Sequence, residues 1–561
     1  MGMDVGRLSG AITMQSNLPR GPLPDAAARP TIVRALPELH YPPAVNLSAS
    51  LLDAHVDAGR GDAVAIHFED RRLTYADLLE ETCRFADALR RLGVEPGDRV
   101  VTRFPNRPEA VVAALAVQRL GAVDVPTMRL LRAAELTFLC NDVGARAVVV
   151  SDDLLGELDA ALPDLETVAT VVVVRRHGVD HDHEDYDALL ADAAADLEPY
   201  PTRGSDVATV FYTSGTTGRP KGAVHTHHER LAIADGYGRY CLAPTADDVF
   251  GGNAPLPFSY GYGALLTIPL RFGAATSLVE DPSPPAMLEA VEAHGVTVIV
   301  SVPTAYNQLL ARYPDGPERY DTTSLRLGMS AGEPLAPATY EAFLAAYGVQ
   351  LIDGIGTTEM GHIFISHRHG DDVDPAATGY PVPGYECKVV DPVTGDELPR
   401  GEPGLLAVRG PTGITYWDRP DEQAAAVRDG WNHPGDVFVH REDGRFVYQS
   451  RADDIIISSG YKIPAPEVEN ALLEHPAVLE VGVAGSPDPV RNELVKAFVV
   501  VADGVEPGPD LVATLQDHVK RTLAPYKYPR AVEFVDALPR TETGKLRRTE
   551  LRERERLQAA R

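Results

Sequence analysis

The segment Tyr212-Thr213-Ser214-Gly215-Thr216-Thr217-Gly218-Arg219-Pro220-Lys221-Gly222 gathers four small hydroxyl side chains, three glycines and a lysine into eleven residues. Such a loop can wrap phosphate: glycines let backbone N–H groups approach an anion, hydroxyls donate further hydrogen bonds, and lysine adds a compact positive charge. The apolar run Val207–Tyr212 before it reads as a strand, so the loop leaves a sheet edge, where open α/β sheets bind ligands. It is not the Walker pattern, because Gly222 rather than Ser or Thr follows Lys221. A Ser/Thr/Gly surface loop is the commoner fate of such composition, but the ordered coincidence of so many positions favours phosphate. A second candidate lies at Leu351–Glu359, a strand running into a Gly-rich turn and then Thr357-Thr358-Glu359, where hydroxyls beside a carboxylate can hold Mg2+ and its waters. A third, Pro539-Arg540-Thr541-Glu542-Thr543-Gly544-Lys545-Leu546-Arg547-Arg548, is basic; by composition alone it reads as a solvated tail.

These segments need a scaffold that presents several loops at one edge. From Leu51 onward, helical periodicity such as Tyr75–Leu92 alternates with strand-like runs such as Asp98–Arg103 and Ala145–Ser151, which predicts parallel sheets flanked by helices. Asp180–Pro199, with His181, Asp182, His183, Glu184 and Asp185, reads as a solvated acidic loop ahead of a metal site, since neither spacing nor partners are specified. Near Arg451 the character changes. Pro466–Glu474 and Asp510–Leu523 read as helices, and Val478–Ala484, Val495–Val501 and Ala531–Val535 as strands, enough for a separate small domain.

With 561 residues, 44% apolar and 24% charged, the chain is an ordinary globular one with room for several cores. Its 52 Lys and Arg against 81 Asp and Glu give a net charge of −29, which disfavours nonspecific binding to nucleic acid or anionic membrane. An anionic substrate must therefore meet local positive charge. Cys83, Cys140, Cys241 and Cys387 are scattered, without a CxxC pair, and read as buried thiols of a cytoplasmic protein. No run approaches the ~20 apolar residues of a membrane span, and Met1–Pro30 lacks a basic-then-apolar secretory pattern.

Taken together, the segments resemble the adenylate-forming superfamily of acyl-CoA synthetases, peptide-synthetase adenylation domains and luciferases, in family order from about Leu47 to Arg554. The resemblance implies an α/β fold: a loose arm over 1–45, a large adenylate-forming domain over 46–451 with several sheets flanked by helices, and a small mobile α+β domain over 452–561. It implies ATP, Mg2+ and a thiol acceptor, coenzyme A or a carrier-protein phosphopantetheine. A carboxylate attacks the α-phosphate, then the thiol displaces AMP. Thr213, Ser214, Gly215, Thr216, Thr217, Gly218 and Lys221 match the grip on the β,γ-phosphates; Thr358 and Glu359 match the contacts to the α-phosphate and magnesium. Asp436 and Arg451 match the ribose site, with Pro434 where the family usually has Thr. Gly332, Glu333 and Pro334, with Asp353, Gly354 and Ile355, match the adenine site. Lys545 matches the catalytic lysine, Asp453 the hinge of the small domain, and Gly460 the thiol tunnel.

Within the superfamily the sequence is similar to benzoate-CoA and 2-aminobenzoate-CoA ligases, through Pro255–Gly263, Ile352–Phe364 and Ala524–Arg530. That resemblance implies an aryl acid with Phe258, Ser259, Tyr260, Gly261, Thr304, Gly332, Gly356 and His362 around its ring. An aromatic slot edged by hydroxyls and an imidazole suits a benzoate bearing OH or NH2. Gly361 stands where these ligases usually carry a larger apolar residue, which predicts extra room and a substituted or bicyclic ring. Lys520, Arg521, Lys527 and Arg530 are the cations expected to meet coenzyme A. A carrier protein as acceptor, and a homodimer, stay open at this point.

Overall fold

The computed structural model describes residues 23–213, 220–452, 454–458, 461–488, 491–540 and 546–559. Among these the strands form four sheets, two of them largely parallel, as the alternation of helix and strand patterns requires. The first is built from β1 (Arg99–Arg103), β2 (Val123–Thr127), β3 (Ala145–Ser151), β4 (Thr170–Val174), β5 (Val207–Thr213) and β6 (Lys221–Thr226), with the short strand Glu184–Asp185 at its edge. Its order is Glu184–Asp185, β4, β3, β1, β2, β5, β6, and only the β5/β6 pair is antiparallel. Strands such as β2 and β3 are buried almost throughout because helices cover both faces.

The second sheet holds β7 (Val249–Gly252), β8 (Val298–Ser301), β9 (Leu327–Ala331) and β10 (Leu351–Gly356), all parallel, followed by the antiparallel β11 (Ile363–Ser366). In space β7, β8, β9, β10 and β11 lie side by side, so the carboxyl ends of four parallel strands open on one edge. A third sheet, antiparallel and not anticipated by the alternation rule, spans 386–451 and includes β12 (Pro403–Arg409), β13 (Asp436–His440) and β14 (Phe446–Arg451). Its register sets Asp436 directly opposite Arg451.

The fourth sheet, β15 (Ile455–Ser458), β16 (Tyr461–Pro464), β17 (Val478–Asp488), β18 (Asn492–Val501) and β19 (Ala531–Phe534), has its own core. Helices Ala465–Leu473 and Pro509–Thr522 bury Val468, Leu472, Leu515 and Val519 against Val483, Val495 and Val499. Strand β17 runs beyond Ala484, because pairing continues from Gly485↔Val495 to Asp488↔Asn492 although the apolar alternation has ended.

Two expectations need correction. The arm expected to be loose is tied down where it is described: Val33 N–H donates to the Gly410 carbonyl, Thr31 N–H to Gly430, Val45 N–H to Thr202, and Leu39 is fully buried. The acidic stretch 180–199 is not wholly loop either. Tyr186–Ala191 is helical, and Tyr186 packs its ring 4.7 Å from that of Phe85 while its hydroxyl donates to Glu81. Its charged residues had masked one apolar anchor. The one His/carboxylate cluster with metal-ligand spacing among the described residues is Asp152, Asp153 and His177, outside that stretch.

Close strand packing at the shared edge depends on glycine. Gly252 has φ +149, and a Cβ there would sit 2.0 Å from the Val300 carbonyl oxygen of the neighbouring strand. Gly252→Ala is expected to destabilise the protein by about 2 kcal/mol or more, read as a lower midpoint in chemical denaturation.

Candidate active site

The loops that follow the parallel strands carry the residues expected to do the chemistry, in keeping with ligand binding beyond the carboxyl ends of such strands. Beyond β7 comes Phe258-Ser259-Tyr260; beyond β8, Thr304; beyond β9, Gly332-Glu333-Pro334; beyond β10, Thr357-Thr358-Glu359. The first sheet reaches the same place through β5, whose last residue, Thr213, donates from Oγ1 to Glu359 Oε1 at 3.3 Å. Two motifs 146 residues apart thus meet across two sheets. Ser214, Gly215, Thr216, Thr217 and Gly218, together with Asp453, Gly460 and Lys545, lie outside the described residues.

Lys221, the first residue of β6, holds its ammonium 5.5 Å from the ring centre of Tyr416, a residue the sequence reading passed over. Tyr416 is 7% exposed and also donates its hydroxyl to Glu359 Oε1 at 3.3 Å. The chain at 415–417 lies along β6: Val224 N–H donates to the Thr415 carbonyl and Trp417 N–H to that of Gly222. This explains Gly222, where a Cβ would meet Val210 Cγ1 at 2.9 Å and Trp417 Cβ at 3.1 Å. Glu359 makes no ion pair among the described residues, and its neighbours are hydroxyl oxygens. An all-oxygen donor set around an unneutralised carboxylate fits Mg2+ rather than a softer metal.

Asp436 is buried, and Arg451 reaches across the β13/β14 ladder to it at 3.4 Å while donating to the Pro434 carbonyl at 2.7 Å. Pro434, where the resemblance leads one to expect Thr, thus contributes its main-chain carbonyl. Ser330 donates to Asp353, whose pKa burial pushes up to about 7. Gly354 has no side chain because a Cβ would strike Ile363 on β11 at 2.6 Å. Glu333 caps the helix that begins at Pro303, accepting from Thr304 N–H and from Thr304 Oγ1 at 2.6 Å. Arg540 bridges this pair to the fourth sheet, with Glu333 at 3.3 Å and Glu480 at 2.8 Å.

The residues expected around the ring gather where β11 returns. His362 is 3% exposed, its ring centre 5.2 Å from that of Tyr237 and 5.8 Å from that of Tyr260. It packs over Gly263, where a Cβ would fall 2.2 Å from His362 Cδ2, and beside Gly356, where a Cβ would meet the His362 carbonyl at 2.4 Å. Neither ring nitrogen of His362 makes a well-formed hydrogen bond among the described residues, although the Tyr260 main chain lies near enough to act on its titration. Burial, then the charge of Arg230, pushes its pKa down to about 3. His225, whose Nε2 donates to the Thr358 carbonyl, is pushed down to about 3 by the same two causes. Tyr260 anchors its hydroxyl on the carbonyls of Ser301 and Met329. Gly261 is compact for a local reason: a Cβ would lie 2.1 Å from the Pro255 carbonyl oxygen.

Arg230 had no signal in the sequence. It is fully buried, 4.7 Å from the ring centre of Tyr262 and 5.4 Å from that of Phe211, and it donates to Thr267 Oγ1 and to the Gly361 carbonyl. The extra room expected at Gly361 is absent. Its φ is +82, and a Cβ there would meet Ile233 Cδ1 at 3.1 Å and His225 Nδ1 at 3.2 Å, so glycine serves the turn. Of the cations expected to meet coenzyme A, Lys520 and Arg530 both lie over the Tyr528 ring, 4.6 Å from its centre, and Lys527 pairs with Glu467. Arg521 follows Lys520 on the same helix and is exposed.

Residues 52–417 match the family described as AMP-binding enzyme, and residues 467–545 match the AMP-binding enzyme C-terminal domain. The chain belongs to the AMP-binding enzyme family. It is 37% identical to a benzoate–CoA ligase of Thauera aromatica, over 92% of this chain and 97% of the relative. An anthranilate CoA ligase crystallised with anthranoyl-AMP superposes with a TM-score of 0.89 at 31% identity, covering 94% of this chain and all of that one. A benzoate CoA ligase from Burkholderia xenovorans LB400 superposes with a TM-score of 0.83 at 35% identity, covering 91% of this chain and all of that one. Family membership makes this protein an AMP-forming acid–CoA ligase of the adenylate-forming fold.

Because the folded His362 pKa lies below its ordinary 6.5, the unfolded chain takes up a proton that the native site refuses, so this residue's contribution falls as pH drops below 6.5. Asp353 and Asp124, both pushed up to about 7, act in the opposite sense, so the test is a difference between proteins. Between pH 5.5 and 4.5 the unfolding free energy of His362→Gln is expected to fall less steeply than that of the parent, by about 1.4 kcal/mol per pH unit. Urea denaturation across that range measures it.

Proposed function

We propose that the protein activates an aryl carboxylic acid of the benzoate type, bearing a hydroxyl or amino group beside the carboxylate, as acyl-AMP and transfers it to coenzyme A. The observation that carries the choice of acid is the neutral, buried His362 beside the rings of Tyr237 and Tyr260. Its ring nitrogens make no well-formed hydrogen bond among the described residues, and as a hydrogen-bond partner only the Tyr260 main chain lies near enough to act on its titration. A neutral imidazole offers one donor and one acceptor, so it can read a polar ring substituent without adding charge. In this reading the rings of Tyr237 and Tyr260 flank the bound acid, as aromatic side chains suit a flat ring. Support comes also from the relatives, named for benzoate and anthranilate.

In this reading the hydroxyls and backbone of Thr213–Gly218, with Lys221, hold the β,γ-phosphates. Asp436, steadied by Arg451, accepts from the ribose hydroxyls, and the adenine lies against Gly332–Pro334 and Asp353–Ile355. Thr358 donates to the α-phosphate. Glu359 is the carboxylate that holds Mg2+, whose charge offsets that of the phosphates when it is bound. Lys545 contacts the acyl and α-phosphate oxygens. A carboxylate oxygen of the acid attacks the α-phosphorus, the acyl–phosphate bond forms, and pyrophosphate leaves with the electron pair of the broken P–O bond. The thiolate sulfur then attacks the acyl carbon and AMP departs. The small domain, 452–561, turns about Asp453 between the steps, withdrawing Lys545 and presenting Gly460 to the thiol tunnel. Lys520, Arg521, Lys527 and Arg530 meet the phosphates of coenzyme A.

A panel of carboxylic acids assayed by pyrophosphate release, with free coenzyme A as sole acceptor and the thioester identified by mass, tests the reading. Salicylate or 2-aminobenzoate is expected to lead the panel, and preference for medium-chain fatty acids overturns it. Lys545→Ala is expected to slow acyl-adenylate formation by about a hundredfold or more while sparing thioester formation from supplied acyl-adenylate. Equal loss in both steps contradicts the two-orientation scheme.

A further inference from the structure

The candidate ATP site holds charges of opposite sign on one small surface, the ammonium of Lys221 and the carboxylate of Glu359. Without ligand, unlike charges in a half-buried cleft attract more strongly than in water, and a direct ion pair would cancel both. No ion pair joins them. The same side chain touches each: Tyr416 gives its ring face to Lys221, 5.5 Å from the ring centre, and its hydroxyl to Glu359 at 3.3 Å.

We propose that Tyr416 is a positioning residue that keeps Lys221 and Glu359 apart and separately oriented until the magnesium–nucleotide complex takes both. The inference rests on the assignment of these two residues to the ATP site. Its main chain is fixed for the task. Tyr416 N–H donates to Gln423 Oε1 at 2.9 Å, Ala223 and Tyr416 form an antiparallel bridge, and the residues on either side of Tyr416 are hydrogen-bonded to the strand that Lys221 begins. Gln423 is held in turn, donating to the carbonyls of Ile414 and Ala28. Burial and the neighbouring Glu359 carboxylate push the phenol pKa up, so the hydroxyl stays a protonated donor toward the carboxylate and adds no third charge. The ring attracts the ammonium through its electron-rich face without neutralising it. One side chain thus meets two opposite charges through its two chemically different parts.

The test is a binding cycle on the full-length protein, using the magnesium complex of the non-hydrolysable α,β-methylene analogue of ATP and isothermal calorimetry. Tyr416→Leu removes ring and hydroxyl and is expected to weaken binding about tenfold or more, whereas Tyr416→Phe keeps the ring and is expected to cost about threefold or less. In a Glu359→Gln background no ion pair can form, so adding Tyr416→Leu is expected to cost about threefold or less. Equal losses from Tyr416→Leu in the two backgrounds would reduce Tyr416 to ordinary packing and overturn the proposal, as would Tyr416→Leu binding like the parent. Unfolding midpoints of all four variants, measured alongside, identify a loss that merely tracks destabilisation, which counts against it. If Lys221→Ala also binds like the parent, the ATP-site assignment fails and takes the proposal with it.

Discussion

Joining a carboxylate to a triphosphate means bringing two anions into contact, and the rest of this structure answers to that repulsion. The chain carries a net charge of −29, so the attraction cannot come from its overall field and must be local. The cations described near the site are few and individually steadied: Lys221 over an aromatic face, Arg451 between a carbonyl and a carboxylate, and Arg540 between two glutamates. Fixed charges that need no rearrangement when the nucleotide arrives stabilise a developing anionic transition state better than mobile ones.

The fold supplies the convergence that such placement needs. Parallel strands β7 to β10 end on one edge, and β5 of the other parallel sheet delivers Thr213 to the same carboxylate. The glycines at this edge keep their places for contact reasons: Gly252 against the Val300 carbonyl, Gly354 against Ile363, Gly356 against the His362 carbonyl. The imidazoles near the proposed ring site are kept uncharged instead. His225 and His362 are both depressed to about 3 by burial and by Arg230, whose own charge is held between two aromatic rings. In the proposed reading, ionised side chains serve the phosphates, whereas the imidazoles beside the ring stay uncharged next to a buried Arg230.

The parts written as local patterns were readable in the sequence. The strand before the phosphate loop, the Thr-Thr-Glu turn and the elements of the small domain follow from period, glycine and hydroxyl content, and the structure places them within a few residues of the expected bounds. Features made by contacts between distant segments had no such signature. Tyr416 gains its position from β6, almost two hundred residues earlier in the chain, and Arg230 is an ordinary helix residue until Phe211 and Tyr262 enclose it. Gly361 was misread for the same reason: a small residue beside a pocket resembles room, but its direction is set by a left-handed turn and filled by His225 and Ile233. The antiparallel sheet over 386–451 escaped because short, half-exposed strands carry little alternation.

The proposed cleft combines a phosphate grip with an uncharged imidazole that reads a polar-substituted ring. The most direct measurement is a crystal structure of the protein with the magnesium complex of α,β-methylene ATP and 2-aminobenzoate. Phosphates are expected at residues 213–221 and the ring against Phe258 and Tyr260, with its amino group at about 3 Å from a His362 nitrogen. A ring bound elsewhere, or one whose substituent points away from His362, would contradict that reading.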